Sequence, residues 1–210
     1  MRTLWVDMDG TLILVRRRFC EVHRAVCRRL GISPCRDQEY WQAKCEGISS
    51  LEILGRQGGE QHWEKYKILR SQLMESQEFL RMDTLRAGAI AALTALRHSY
   101  NLLLLSGRTS AEQLRWQLKM LHIRHFFHEV YIVSPYATWG DKAAVLVQHG
   151  SPSDIVIGDT SMDILAGTSV GAHTIAITGG LSTEGRLLEC KPEYVVHRWT
   201  AILSACSVLS

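Results

Sequence analysis

Short, continuous runs of apolar residues alternate along much of the chain with segments in which apolar residues recur at helical spacing. The runs are three or four residues long and are bounded by polar or glycine-containing turns, as is typical of strands buried on both faces of a parallel sheet. They predict strands at residues 3–6, 102–105, 130–133, 155–157, 174–177 and 194–196. Helices are predicted at residues 87–98, 110–121 and 142–149. This alternation predicts an α/β fold, in which a parallel sheet carries helices on both faces.

The alternation stops in the segment that follows the first predicted strand. The apolar spacing there favours helices, and it predicts them at residues 19–30, 40–45 and 63–79. We find no convincing strand pattern between these helices. We therefore predict two domains: an α-helical domain at residues 15–83, and a core domain made of residues 1–14 and 84–210.

Composition excludes several classes of protein. The chain has 210 residues, of which 46% are hydrophobic and 21% are charged, an ordinary globular balance. Its net charge of +3 gives no support for nucleic-acid binding. No apolar stretch approaches the ~20 residues that a membrane helix needs. Because the first acidic residues come too early for a signal peptide, we expect a cytoplasmic protein with no membrane association.

The six cysteines do not form a metal-binding pattern. They include no C-x-x-C pair, so a zinc site is poorly supported. We interpret them as reduced, mostly buried thiols, as expected in a reducing compartment.

Basic residues are concentrated near the start of the predicted helical domain. Residues 16–36 contain seven arginines and a single acid, Glu21. One interpretation is a solvated helix face with snorkelling side chains. The other is an electropositive rim that attracts an anionic substrate, in which Arg16, Arg17 and Arg18 are the candidate substrate-binding residues.

The end of the first predicted strand carries the most informative motif. Asp7 and Asp9 follow the apolar run directly, and Gly10 comes next. Because residues i and i+2 of an extended strand point to the same face, both carboxylates can converge at the strand's end. Two acids at one point repel each other unless a cation or a shared proton relieves them. A nucleophilic acid, a neighbouring proton donor and Mg²⁺ would together suit phosphoryl transfer.

Two further motifs provide groups that bind anions. Ser106, Gly107 and Arg108 follow a run of four leucines, where a hydroxyl and backbone N–H groups can hold a phosphoryl oxygen. The Arg108 guanidinium is a further candidate for binding the anionic substrate. The alternative is an ordinary turn from strand to helix. Lys142 lies at the start of a predicted helix, a position that the helix dipole slightly disfavours for a cation. It is either an exposed surface lysine or a group that offsets a phosphoryl charge.

A second acidic pair follows the strand predicted at 155–157. Asp159 lies in the predicted loop, and Asp163 lies in the first turn of the next helix. Hard oxygen ligands of this kind suit Mg²⁺. The alternative for Asp163 is an acid that only stabilises the N-terminus of its helix.

These four motifs, in this order, resemble those of the haloacid dehalogenase superfamily. Residues 7–12 are similar to its first motif, Ser106 to its second, Lys142 to its third and residues 158–163 to its fourth. The resemblance covers nearly the whole chain, and residues 15–83 resemble the helical cap of the phosphoglycolate-phosphatase-like branch. It implies a Rossmann-like, doubly wound core, Mg²⁺ dependence and an aspartyl-phosphate intermediate.

The resemblance also implies residue roles. Asp7 would be the nucleophile, and Asp9 would protonate the leaving group and then activate water. The phosphate-binding residues would be Thr11, Ser106, Gly107 and Lys142. The metal ligands would be Asp7, the backbone carbonyl of Asp9, Asp159 and Asp163.

The favoured function is therefore a phosphatase that acts on a small phosphorylated metabolite, as a monomer or homodimer. Two alternatives remain open. One is a phosphomutase or a phosphonate-cleaving hydrolase on the same core. The phosphonate-cleaving enzyme would need Lys44, Lys65 or Lys67 to form a Schiff base with its substrate. The other is a catalytically silent binding subunit.

Overall fold

A computed structural model describes residues 1–136 and 138–209. Its strands are β1 (Thr3–Val6), β2 (Ile13–Leu14), β3 (Thr84–Leu85), β4 (Asn101–Gly107), β5 (Glu129–Val133), β6 (Ile155–Gly158), β7 (His173–Ile177) and β8 (Tyr194–Val196). Its helices are α1 (Arg16–Arg29), α2 (Asp37–Cys45), α3 (Ser50–Gly55), α4 (Trp63–Met74), α5 (Gln77–Leu80), α6 (Ala89–Leu96), α7 (Ala111–Met120), α8 (Trp139–His149), α9 (Ser161–Ser169), α10 (Glu184–Glu189) and α11 (Trp199–Leu209). Short 3-10 helices lie at Glu60–His62 and Arg124–Phe126.

By internal contacts the chain divides into two units. One unit, the core unit, comprises residues 1–14 and the chain from residue 85 onward, and the other, the helical unit, comprises residues 15–84. The predicted boundaries fall after residues 14 and 83.

The core unit is built on a six-stranded parallel sheet with the order β5-β4-β1-β6-β7-β8. Alternate strand residues are buried on opposite faces: Leu4 and Val6 face one side, while Trp5 packs with Leu103 and Val156 on the other. Helices α8 and α9 cover that second face. The sequence prediction of an α/β, doubly wound parallel sheet is confirmed.

The register of the central strands aligns their carboxyl ends. Val6 lies opposite Leu104 in β4 and Ile157 in β6. The residues that follow these positions therefore emerge at one edge of the sheet, where α/β proteins place their ligands.

Helix limits differ from the predictions where polar groups act as caps. Helix α8 begins at Trp139 instead of residue 142, because Thr138 and Asp141 form a capping box. The helix predicted at 63–79 is divided into α4 and α5, and α3 was not predicted. The Ser110 hydroxyl accepts a hydrogen bond from the Gln113 N–H and caps α7, as its sequence indicates.

The helical unit has a separate apolar core. Val22 and Val26 of α1 pack with Tyr66 and Leu73 of α4 and with Phe79 of α5. Among the described residues, no helix combines the length and the apolar character that crossing a membrane requires. All six cysteines are free thiols, and Cys20, Cys27 and Cys206 are buried.

Candidate active site

The turn after β1 directs Asp7 and Asp9 out of the sheet edge. The Asp7 N–H donates to the Ile157 carbonyl at 3.0 Å, which extends the pairing with β6 by one residue. The Met8 carbonyl then accepts hydrogen bonds from Thr11, Leu12 and Ile13 at 2.9 to 3.2 Å. Gly10 takes a left-handed conformation, with φ +88°, that this tight turn requires.

Three buried carboxylates converge beside this turn. One oxygen from each of Asp7, Asp159 and Asp163 lies within 4.8 Å of the others. These residues are only 7%, 0% and 2% exposed, so water screens their mutual repulsion poorly. Burial raises the pKa of Asp7 well above its usual value; Lys142 opposes this shift, and the charges of Asp163 and Asp159 add to it. A cation in the cluster would relieve that repulsion.

Lys142 supplies one positive charge to the cluster. Its Nζ donates to Asp7 Oδ1 at 2.8 Å and to Asp163 Oδ1 at 2.5 Å, and the residue is only 5% exposed. Burial alone lowers the pKa of Lys142, but Asp163 and Asp7 outweigh it and raise that pKa above its usual value. Lys142 is therefore a buried, charged member of the cluster and not the exposed surface lysine of the alternative interpretation.

Asp159 is held on both of its oxygens. The Thr11 hydroxyl donates to Oδ1 and the Leu181 N–H donates to Oδ2, each at 2.6 Å. Burial, followed by repulsion from Asp163, raises the pKa of Asp159 to about 7. The position of Thr11 assigns its hydroxyl to holding this carboxylate, although the sequence placed it among the phosphate-binding residues.

Two glycines make room for the Asp159 carboxylate. A Cβ added to Gly10 would lie 2.7 Å from Asp159 Cγ, and one added to Gly180 would lie 2.5 Å from the same atom. Side chains at these positions would therefore displace Asp159. Sequence reasoning missed Gly180 and Leu181 as site residues; the only available signal was the glycine pair that follows β7.

Asp163 caps its helix and is also a member of the acidic cluster. Its Oδ2 accepts hydrogen bonds from the backbone N–H of Thr160 at 3.1 Å and from the Thr160 hydroxyl at 2.5 Å, which caps α9. Its Oδ1 contacts Lys142. The helix cap thus orients a carboxylate whose other oxygen belongs to the acidic cluster.

Ser106 and Gly107 end β4, next to β1 in the sheet. Ser106 is 1% exposed, and its Oγ is buried with no hydrogen-bond partner among the residues that the structure describes. Burying a hydroxyl without a partner is costly, so such a group points to a ligand oxygen.

Arg108 lies beside Asp9. The Arg108 Nη2 is 3.6 Å from Asp9 Oδ1, and the same nitrogen donates to Gln117 Oε1. Arg108 is only 3% exposed. Sequence reasoning did not identify Gln117.

The three arginines at the start of α1 have different environments. Arg16 and Arg17 are exposed, but Arg18 is buried inside the helical unit. The Arg18 Nε lies 3.0 Å from Asp83 Oδ2, and Nη1 donates to the Met74 carbonyl at 3.1 Å. These contacts compensate the burial of the guanidinium, and they explain Arg18 as a structural residue instead of a substrate-binding one.

Comparisons with known proteins identify the family of this chain. A sequence profile of the haloacid dehalogenase-like hydrolase family matches residues 5–177. Phosphoglycolate phosphatase of Synechococcus elongatus is 23% identical over 212 residues, which cover 100% of this chain and 99% of that protein.

Solved structures share the fold. A haloacid dehalogenase-like family protein from Streptococcus pneumoniae superposes with a TM-score of 0.83 at 22% identity, covering 98% of each chain. A predicted phosphoglycolate phosphatase from Haemophilus somnus superposes with a TM-score of 0.79 at 16% identity, also covering 98% of each chain.

Proposed function

Because the chain belongs to the haloacid dehalogenase-like hydrolase family, we propose that it is a Mg²⁺-dependent phosphatase that hydrolyses a small phosphate monoester through an aspartyl-phosphate on Asp7. One observation carries this proposal: three buried carboxylates and a buried lysine meet at the carboxyl ends of β1 and β6. Burying such a cluster costs free energy on folding. Its charges are complementary to those of a phosphoryl group together with a divalent cation.

Asp7 is the proposed nucleophile. One of its oxygens attacks phosphorus, a new P–O bond forms to Asp7, and the ester P–O bond breaks. Lys142, 2.8 Å from Asp7 Oδ1, orients the carboxylate and offsets the charge that accumulates on the phosphoryl oxygens. The Ser106 hydroxyl, which has no hydrogen-bond partner among the described residues, can donate to one of those oxygens.

Asp9 is the proposed acid and base. It gives its proton to the leaving oxygen in the first step, and so an alcohol departs. In the second step the Asp9 carboxylate takes a proton from water, which attacks phosphorus and breaks the bond to Asp7. Inorganic phosphate leaves, and both side chains return to their starting states.

The donor set fits Mg²⁺. Asp7, Asp159, Asp163 and the backbone carbonyl of Asp9 would hold the ion, since hard oxygen ligands are those that Mg²⁺ prefers. When bound, Mg²⁺ supplies positive charge that polarises the phosphoryl group. The Lys142 ammonium, which contacts Asp7 and Asp163, offsets one of the three carboxylate charges and leaves negative charge for Mg²⁺ to balance.

The test is hydrolysis of 4-nitrophenyl phosphate by the purified protein, with and without Mg²⁺. We expect activity that disappears with a chelator, and a loss of roughly 10³-fold or more in Asp7→Asn, since the nucleophile is removed. The exposed Glu112→Gln, which changes charge in the same way, is the matched control. Full activity in Asp7→Asn, or activity without any divalent cation, would contradict the proposal.

The alternatives give different outcomes in the same experiments. A silent binding subunit would release no phosphate from any ester. A phosphonate-cleaving enzyme would be inactivated by borohydride together with a phosphonoaldehyde, and a mutase would isomerise a sugar phosphate without releasing phosphate. The cap role of residues 15–83, the cytoplasmic location and the monomeric or homodimeric state stay predictions.

A further inference from the structure

Helix α7 contains a polar residue on its buried face. Gln117 is 0% exposed and lies beside Leu114 and Leu118, which are also buried. The apolar spacing of this face calls for another hydrophobic residue at that position. A buried amide is costly unless it is hydrogen-bonded, and Gln117 Oε1 accepts its hydrogen bond from Arg108 Nη2.

Arg108 is equally unusual in its burial. In the described part of the core unit, it is the only arginine that is buried. Its backbone N–H donates to the Val133 carbonyl at 3.0 Å, which fixes its main chain at the end of β4. Its Nη2 lies between Gln117 Oε1 and Asp9 Oδ1. The guanidinium therefore connects the buried face of α7 to the proposed catalytic acid.

We propose that Arg108 and Gln117 are positioning residues for Asp9: Gln117 fixes the guanidinium, and the guanidinium holds Oδ1 of the Asp9 carboxyl group, so that the protonated form can donate its proton to the leaving oxygen from its other oxygen. This inference rests on the proposed phosphatase function. It differs from the prediction that Arg108 binds substrate, because a guanidinium committed to Gln117 and Asp9 acts through Asp9. A guanidinium NH₂ group carries two N–H donors, so Nη2 can face both partners at once.

The inference has a kinetic consequence. A poorly placed acid slows the expulsion of a basic leaving group, which needs its proton, more than that of a weakly basic one, which departs without it. Phenyl phosphates with different ring substituents vary the basicity of the leaving group, and thus its need for a proton, while the size of the ester stays nearly constant. The value of kcat/KM reports the steps up to phosphoryl transfer to Asp7, so slow hydrolysis of the phospho-enzyme does not obscure the effect.

The experiment measures kcat/KM of the full chain for 4-methoxyphenyl, phenyl and 4-nitrophenyl phosphate with Mg²⁺. The variants are Arg108→Met, Gln117→Leu and Asp9→Asn. Arg115→Met is the matched control, because Arg115 is an exposed arginine of α7, the helix that contains Gln117. We expect Arg108→Met and Gln117→Leu each to lower kcat/KM about tenfold for phenyl phosphate and less than about threefold for 4-nitrophenyl phosphate. Asp9→Asn should show the steepest leaving-group dependence, and Arg115→Met should match the wild type.

A double variant separates positioning from an independent role. Adding Arg108→Met to Asp9→Asn should cause no further loss on phenyl phosphate, since the residue acts through Asp9. An equal loss on all three esters, or no loss in either single variant, would overturn the inference. Should Arg108→Met fail to fold, Gln117→Leu, which conserves volume, carries the same test. Wild-type protein without phosphatase activity would instead refute the proposed function itself.

Discussion

Gly180→Ala tests whether Asp159 must occupy its observed position. A Cβ at Gly180 would lie 2.5 Å from Asp159 Cγ and 2.6 Å from its Cβ, whereas ordinary contacts begin near 3.4 Å. The carboxylate must therefore move by roughly 1 Å, a shift that can cost about 100-fold in catalysis. The move would also break the 2.6 Å hydrogen bond from the Leu181 N–H. Unlike Gly179, Gly180 has no positive φ, so alanine adds a steric effect without backbone strain.

Calorimetric titration of Mg²⁺ into the metal-free protein measures the result. We expect Gly180→Ala to bind Mg²⁺ about 10- to 100-fold more weakly, the usual cost of disturbing the groups that orient a metal ligand. Gly185→Ala is the matched control, because Gly185 lies in α10 and, beyond its chain neighbours and its own helix backbone, no described residue has an atom within 4 Å of an added Cβ. It should leave Mg²⁺ affinity unchanged and raise the free energy of unfolding by about 0.5–1 kcal/mol. Wild-type Mg²⁺ affinity in Gly180→Ala would refute the assignment of Asp159 as a ligand.

Three further predictions concern the free energy of unfolding, measured by urea denaturation. Lys142→Met should lower it by about 3–5 kcal/mol in the presence of a chelator, because the acidic cluster loses its cation, and Mg²⁺ should restore part of the loss; an unchanged value would contradict the buried ion pairs. Burial and Asp163 raise the pKa of Asp159 to about 7, so the folded metal-free protein retains a proton that the unfolded chain loses near pH 4. The free energy of unfolding should therefore fall as pH rises from about 4 and level off above about 8, and Asp159→Asn should lack that contribution. Arg18→Met should destabilise the protein by about 3–5 kcal/mol by removing the buried guanidinium that faces the Asp83 carboxylate, and adding Asp83→Asn should recover much of the loss, whereas additive losses would contradict the pairing.

Local patterning predicts the six strands of the parallel sheet and the residues that follow them, although it misses α3 and the break between α4 and α5. The run predicted at 3–6 is β1, and the four leucines predicted at 102–105 form the middle of β4. Strand periodicity and helix capping depend on residues a few positions apart, and the sequence alone identifies those residues. The same local chemistry indicates Asp7, Lys142 and Asp159 as candidate site residues.

Contacts between residues that lie far apart in the sequence could not be predicted from such local patterns. Arg18 looks like one more arginine of a basic run, yet its partner Asp83 lies 65 positions away and turns it into a buried structural residue. Thr11 and Gly180 belong to distant segments that both contact Asp159, and the partner of Gln117 on the apolar face of α7 is evident only once Arg108 lies beside it. These pairings depend on sheet order, strand register and helix packing acting together, because only the folded chain brings the partners within reach and removes the water that would otherwise satisfy their charges.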